Sequence, residues 1–187
     1  NHSTTPYLLY VGNAYPHKNL ESLLHAYSFF VRLHPDVHLV LAGRNDIFYK
    51  RLQKELDEIE VPRENVRFVM NPTDAELAEL YRGAALYLFP SKAEGFGLPP
   101  LEAMSAGVPV AAARIPALTE ILGDAATYFS PDDIEEMVEV MEKALTDESL
   151  RTQLVARGHE QIKRYSWSAM AGATRNVYEQ IAHRTTQ

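Results

Sequence analysis

Two glutamates, Glu94 and Glu102, are separated by seven residues, Gly-Phe-Gly-Leu-Pro-Pro-Leu. Ahead of them an apolar run, Ala85 to Phe89, ends at Pro90 and reads as a buried strand. After the proline pair a helical segment is expected, opening with Leu101-Glu102-Ala103-Met104. Proline suits the first turn of a helix, where its missing N–H would have no partner. Strand, glycine loop and helix start together aim unpaired N–H groups and a positive dipole end at one spot, which is chemistry for an anion. Gly95 and Gly97 allow the backbone to approach a ligand without Cβ interference. Two carboxylates would repel the anion itself, so they read better as acceptors for sugar hydroxyls at its two ends. The plainer alternative is a tight strand-to-helix connection carrying two surface glutamates.

An anion also needs a cation. Lys18 lies six residues after Gly12, in the loop Gly12-Asn13-Ala14-Tyr15-Pro16-His17-Lys18 that follows the first apolar run. His17 is a second candidate donor, with a surface position beside Pro16 as the alternative. Arg44 and Lys92 follow two other predicted strands and complete the basic residues that could reach the same ligand.

The chain has 187 residues, enough for one well-cored domain with an added helical tail. Its formal net charge of -7 argues against nucleic acid as the main partner, so a phosphorylated ligand requires a local cluster of cations. With no cysteine, disulfides and thiolate metal sites are excluded, and a reducing cytoplasm is compatible. No apolar run approaches the roughly 20 residues of a membrane span, which leaves peripheral attachment to a membrane open. The histidines show no metal-ligand spacing, and no metal is expected.

The elements that must position these groups follow from the alternation of short apolar runs with helical segments. Residues 1–6 are expected to be a disordered lead. Strands are expected at Tyr7–Val11, Val37–Ala42, Val66–Val69, Ala85–Phe89, Val108–Ala112 and Thr127–Phe129. A helix over Leu20–Leu33, with Asn19 as its N-cap, follows the first strand. An amphipathic helix runs to about Glu60, and Thr73 with Glu76 forms a capping box for the next. The last third is helical, at Ile134–Leu145, Glu148–Tyr165 and Ser168–Ala182, with Asp147 and Ser166 as caps or turns. Trp167 is expected to pack in the core, and residues 183–187 to trail as a tail. This is an α/β pattern: a doubly wound, Rossmann-like parallel sheet of about six strands with a helical C-terminal tail, one domain over 7–182. In such sheets ligands bind beyond the carboxyl ends of the strands at the switch point. With strand order 3-2-1-4-5-6, the loop holding Lys18 meets the loop holding Glu94 and Gly97.

The string EGFGLPPLE, with YVGNAYPHKNL, VRFV, TEILGDAATYFSP and the late YSW, strongly resembles the C-terminal half of the retaining family-4 glycosyltransferases of GT-B fold. The resemblance covers nearly all of the chain from Tyr7 to about Ile181. It implies a site for a nucleoside-diphosphate sugar, with no cofactor beyond that donor. In it Lys18, Gly12 and Asn13 approach the diphosphate, Gly97 and Leu98 donate to it through backbone N–H, and Glu102 accepts from the ribose. Phe68, Val69 and Met70 fall where relatives hold the base, although any buried strand needs apolar residues there. Glu94 takes the catalytic position, orienting the transferred sugar while electrostatic help to the leaving diphosphate does much of the work.

Asn13 departs from the pattern, since many relatives carry arginine there. Asparagine can hydrogen-bond phosphate but cannot neutralise it. Either Arg44 or Lys92 compensates, or the donor is held less tightly. Glu120 resembles a recurrent family position, with helix capping the preferred explanation.

A GT-B enzyme has two such domains, and the resemblance implies that the acceptor-binding N-terminal half is absent here. A saccharide or lipid-linked acceptor would then be bound by that half, at the cytoplasmic face of a membrane or in the cytoplasm. The isolated chain is expected to bind donor but transfer nothing. GNAYPHKN with GDAATYFSP leans toward mannosyl- and rhamnosyl-type polysaccharide enzymes and a GDP-linked sugar; UDP-linked sugars stay open. Competing readings are a non-catalytic nucleotide-sugar module, the donor subunit of a split transferase, and a phosphorylase or epimerase of the same architecture. A dinucleotide oxidoreductase is disfavoured, because the loop after the first strand lacks G-x-G-x-x-G.

Overall fold

The computed structural model describes residues 5–59 and 61–185, the side chains of residues 183–185 excepted. Six parallel strands, β1 (Tyr7–Val11), β2 (His38–Gly43), β3 (Val66–Met70), β4 (Leu86–Phe89), β5 (Val110–Ala113) and β6 (Ala126–Phe129), form one sheet in the order β3-β2-β1-β4-β5-β6. Every residue of β4 and β5 is buried, as expected of central strands covered on both faces. The order reverses between β1 and β4, so their carboxyl ends open the crevice where the sheet is wound in two directions.

The helices are α1 (Leu20–Leu33), α2 (Ile47–Leu56), α3 (Asp74–Gly83), α4 (Leu98–Ser105), α5 (Pro116–Leu122), α6 (Ile134–Thr146), α7 (Glu148–Ile162) and α8 (Trp167–Thr185). Thr73 and Glu76 form the expected capping box on α3. Asp147 caps α7 through Leu150 N–H, and Ser166 Oγ accepts from Ala169 N–H at the start of α8. Several boundaries shift for local reasons. β5 begins at Val110 because Pro109 has no N–H; its carbonyl accepts from Tyr87 instead. α2 stops at Leu56, short of Glu60, which lies outside the described residues. The expected lead over residues 1–6 extends into the pairing of β1 with β2, since the Pro6 carbonyl accepts from His38 N–H; residues 1–4 lie outside the described residues. Toward the other end α8 runs past 182 to Thr185, and residues 186–187 lie outside the described residues.

Asn19 does precede α1, but not as a side-chain cap. It sits in the left-handed region (φ 60°), buried, and its amide donates to the carbonyls of Pro90 at 3.2 Å and Pro131 at 2.7 Å. One side chain thus ties together the loops after β1, β4 and β6. The chain can return that far because α6, which follows β6, packs against α1.

α7 lies against α4 closely enough that a Cβ on Gly158 would stand 3.1 Å from Met104 Cγ. α8 behaves differently. Trp167, expected in the core, is 69% exposed, and Met170, Val177, Tyr178 and Ile181 on the same helix are exposed too. The apolar spacing of α8 is that of a packed helix, yet no described element covers it, so its tryptophan has nothing to bury against. Tyr165 instead anchors the turn before α8, its hydroxyl donating to the Ile121 carbonyl at 3.0 Å.

The glycines of α7 and α8 separate packing from propensity. Gly158→Val is expected to lower unfolding stability by about 1–3 kcal/mol through overpacking against α4. Gly172→Ala, where an added Cβ meets nothing within 4 Å, should raise helicity without loss of stability. Urea titration with circular dichroism reads both.

Candidate functional site

The crevice is built first from backbone. Val11, Gly12 and Asn13 leave the sheet in sequence, and the carbonyl of each meets a buried tyrosine hydroxyl. Tyr87 donates to Val11 O at 3.2 Å and Tyr10 to Asn13 O at 2.7 Å, while Tyr49 Oη lies 3.0 Å from Gly12 O and from Ala42 O. Burial pushes the ionisation of all three phenols upward, so they stay protonated donors at any working pH. With its carbonyls turned down onto these hydroxyls, the loop can present its other side to a ligand. Nothing in the sequence pairs these atoms, although a tyrosine in an apolar strand signals a hydroxyl in need of a partner.

Lys18 ends a short turn over Pro16–Lys18 and reaches across the crevice to Glu94, Nζ to Oε1 at 2.5 Å. Both side chains are largely buried, at 14% and 11% exposure. The ammonium also lies 5.5 Å from the centroid of the Phe89 ring, at the end of β4, a cation–π placement. Backbone straps the two loops together, with Lys92 N–H donating to His17 O at 2.8 Å. The histidine side chain itself is exposed.

Gly97 stands at the start of α4 with φ 94°, and an added Cβ would come within 2.9 Å of Leu118 Cδ2; both features call for glycine. Gly95 has no such neighbour. Because α4 begins at Leu98, the proline pair falls inside its first turn. Two of the expected unpaired N–H groups are therefore missing, and the anion chemistry narrows to Gly97, Leu98 and the dipole.

Glu102 follows one turn further along α4, exposed, and Tyr81 of α3 donates to its Oε2 at 2.9 Å. The carboxylate borders two grooves. One, about 590 Å³, is mostly apolar and runs between α4 and α8 past Phe96, Leu98, Trp167 and Met170. The other, about 370 Å³, lies between α3 and α4 and is lined by Asp74, Leu77, Ala78 and Tyr81.

Of the residues singled out from sequence, Lys18, Glu94, Gly12, Asn13, Gly97 and Leu98 come from loops that converge at the switch point. Arg44 is exposed after β2 with no ion pair among the described residues. Lys92 is held by Asp132 at 2.6 Å. Neither cation forms an ion pair with Glu94 among the described residues. Phe68, Val69 and Met70 are half-buried on the edge strand β3, and none lines either groove beside Glu102. Glu120 caps nothing: α5 has Ile115 at its N-cap without a side-chain bond, and Glu120 is exposed. Among the described residues no three His, Asp or Glu side chains gather as ligands for a metal ion, and no helix is long and apolar enough to cross a membrane.

The model for the glycosyl transferases group 1 family matches residues 1–161. The chain belongs to that family. Group 1 relatives include the O-antigen chain mannosyltransferase B of Escherichia coli, 34% identical over 179 residues, which cover 92% of this chain and 45% of that protein. A phosphatidyl-myo-inositol mannosyltransferase of Mycolicibacterium smegmatis is 32% identical, with 89% of this chain and 43% of its own length covered. The sucrose-phosphate synthase of Thermosynechococcus elongatus superposes with a TM-score of 0.85 at 27% identity, covering 97% of this chain and 46% of the other. The fold is thus Rossmann-like, as in the GT-B group 1 transferases, and the chain spans under half the length of these relatives.

The Lys18–Glu94 pair in this group 1 domain is testable by stability alone. Lys18→Met leaves the mostly buried Glu94 carboxyl without its partner, and should cost about 1–3 kcal/mol, less than a fully buried pair because some solvent reaches it. Adding Glu94→Gln should recover most of that loss, and urea unfolding of the two single variants and the double variant measures the coupling.

Proposed function

We propose that this chain is the donor-binding half of a retaining, metal-independent hexosyltransferase, which moves a sugar from a nucleoside diphosphate to an acceptor hydroxyl. The observation that carries the reading is the Lys18–Glu94 ion pair at the mouth of β1 and β4, beside the start of α4. The ammonium and carboxylate neutralise each other in a crevice of a chain whose net charge is -7. A diphosphate carries more negative charge than one carboxylate and competes for Lys18, together with the N–H groups of Gly97 and Leu98. Glu94, released, accepts hydrogen bonds from hydroxyls of the transferred sugar. As the glycosidic bond breaks, charge grows on the diphosphate, and a cation already in place stabilises it without reorganisation. Glu102 holds the ribose. The groove between α3 and α4 adjoins that carboxylate, so we assign it to the base in preference to Phe68, Val69 and Met70.

The names of the two relatives, both mannosyltransferases, favour mannose as the sugar; we take GDP as its carrier, with UDP the alternative. The acceptor, a saccharide or lipid-linked glycan, is assigned to a second half that this chain does not contain. The uncovered apolar face of α8 and the short span relative to whole transferases support that assignment.

Calorimetric titration of GDP, UDP and ADP tests the reading. One nucleotide is expected to bind, tenfold or more weakly in Lys18→Ala and in Glu102→Ala, about the loss of one charged hydrogen bond. EDTA should change nothing, and the chain alone should show no sugar transfer. If none of the three nucleotides binds, the donor reading is abandoned; robust transfer by this chain alone overturns the need for a second half.

A further inference from the structure

The hydroxyl of Tyr81 is buried polar chemistry that the donor reading leaves unused. Tyr81 is 5% exposed, yet its hydroxyl reaches an exposed carboxylate, Glu102, at 2.9 Å. We infer that Tyr81 is a positioning residue that holds the Glu102 carboxylate in the orientation that accepts from both ribose hydroxyls. It thereby sets the preference of the site for ribonucleotides over nucleotides lacking those hydroxyls. The inference rests on the assignment of Glu102 to the ribose.

An exposed glutamate samples many rotamers, and freezing one of them on binding costs affinity. Tyrosine has only two side-chain torsions, and this ring is fixed from several sides. It packs on Tyr87 with centroids 5.7 Å apart, and Tyr87 in turn bonds the Val11 carbonyl and lies 6.1 Å from Phe89. On the preceding residue of α3, the Leu80 carbonyl accepts from Tyr7 of β1 at 2.8 Å. The Tyr81 hydroxyl is therefore held relative to β1 and β4, the strands whose loops carry Lys18 and Glu94. It places Glu102 in the same frame as the diphosphate cation.

A phenol also suits the task chemically. It donates one hydrogen bond to Oε2 and leaves Oε1 without a bond among the described residues. An arginine there would neutralise the carboxylate and occupy both oxygens. Burial first, and the neighbouring Glu102 charge second, push the Tyr81 ionisation upward, so the group remains a donor. The simpler explanation is a buried hydroxyl satisfied by the nearest acceptor, with no consequence for the ligand.

The two explanations separate in a ratio. Dissociation constants are measured for whichever of GDP, UDP and ADP binds, and for its 2′,3′-dideoxy counterpart, in the unsubstituted chain, Tyr81→Phe, Tyr7→Phe and Glu102→Ala. Tyr81→Phe should weaken the ribonucleotide about three- to tenfold, the span for one immobilised flexible side chain, and the dideoxy form less than about twofold. Tyr7→Phe loosens α3 without touching Glu102 and should leave the ratio unchanged. Equal weakening of both nucleotides by Tyr81→Phe, or no weakening, overturns the inference. If Glu102→Ala abolishes the ribose preference while Tyr81→Phe preserves it, the ribose assignment stands and the positioning role falls. If Glu102→Ala leaves the preference intact, or no nucleotide binds, the ribose assignment falls and takes this inference with it.

Discussion

Three consecutive carbonyls, those of Val11, Gly12 and Asn13, leave the sheet where no neighbouring strand can pair all of them. Buried carbonyls without donors are costly, so the loop could not run into a crevice unless something met them. Tyrosines from β1, α2 and β4 do so. Each ring is also part of the core, so packing and hydrogen bonding become one constraint: the loop holds its shape only while the core beneath it is intact. The rest of the site follows from that loop. It delivers Lys18 to Glu94 and Asn19 to Pro90 and Pro131, closing three loops onto one another.

Electrostatics then decides what such a crevice can hold. An acidic chain repels a diphosphate at long range, and only local groups reverse that sign. Here the anion-attracting groups are few: one lysine, two backbone N–H groups, and the dipole of a short helix. The proline pair removes donors that a helix start usually offers, while pre-setting its φ angles. Keeping Lys18 paired with Glu94 avoids leaving either charge alone in a half-dry crevice. The same pairing holds the loops after β1 and β4 against each other.

α8 obeys neither constraint. α7 is packed hard against α4 at Gly158, yet nine residues on, at Trp167, the chain enters a helix whose large apolar residues are exposed. Between α8 and α4 an apolar groove of about 590 Å³ stays open among the described residues.

The sequence by itself determined the six strands, their alternation with helices and the capping box at Thr73; the meeting of the Lys18 and Glu94 loops followed only from an assumed strand order, which the sheet has. Periodicity and right-handed crossovers leave little choice once short apolar runs alternate with helices. The EGFGLPPLE string also marked the loop and helix start that stand beside the crevice. Only the tertiary structure decided which atoms meet. Lys18 and Glu94 are 76 residues apart, and Tyr49 and Gly12 are 37 apart. Apolar spacing reports that a tyrosine faces inward but not which carbonyl lies across from its hydroxyl. For the same reason Asn19 was legible as the N-cap position of α1 but not as the residue whose amide bridges two other loops, and Tyr81 had no partner in sequence beside Glu102. Trp167 read as core because large aromatic residues usually are. Whether it is buried depends on having a neighbour to cover it, and that is a property of the assembled surface that no local pattern encodes.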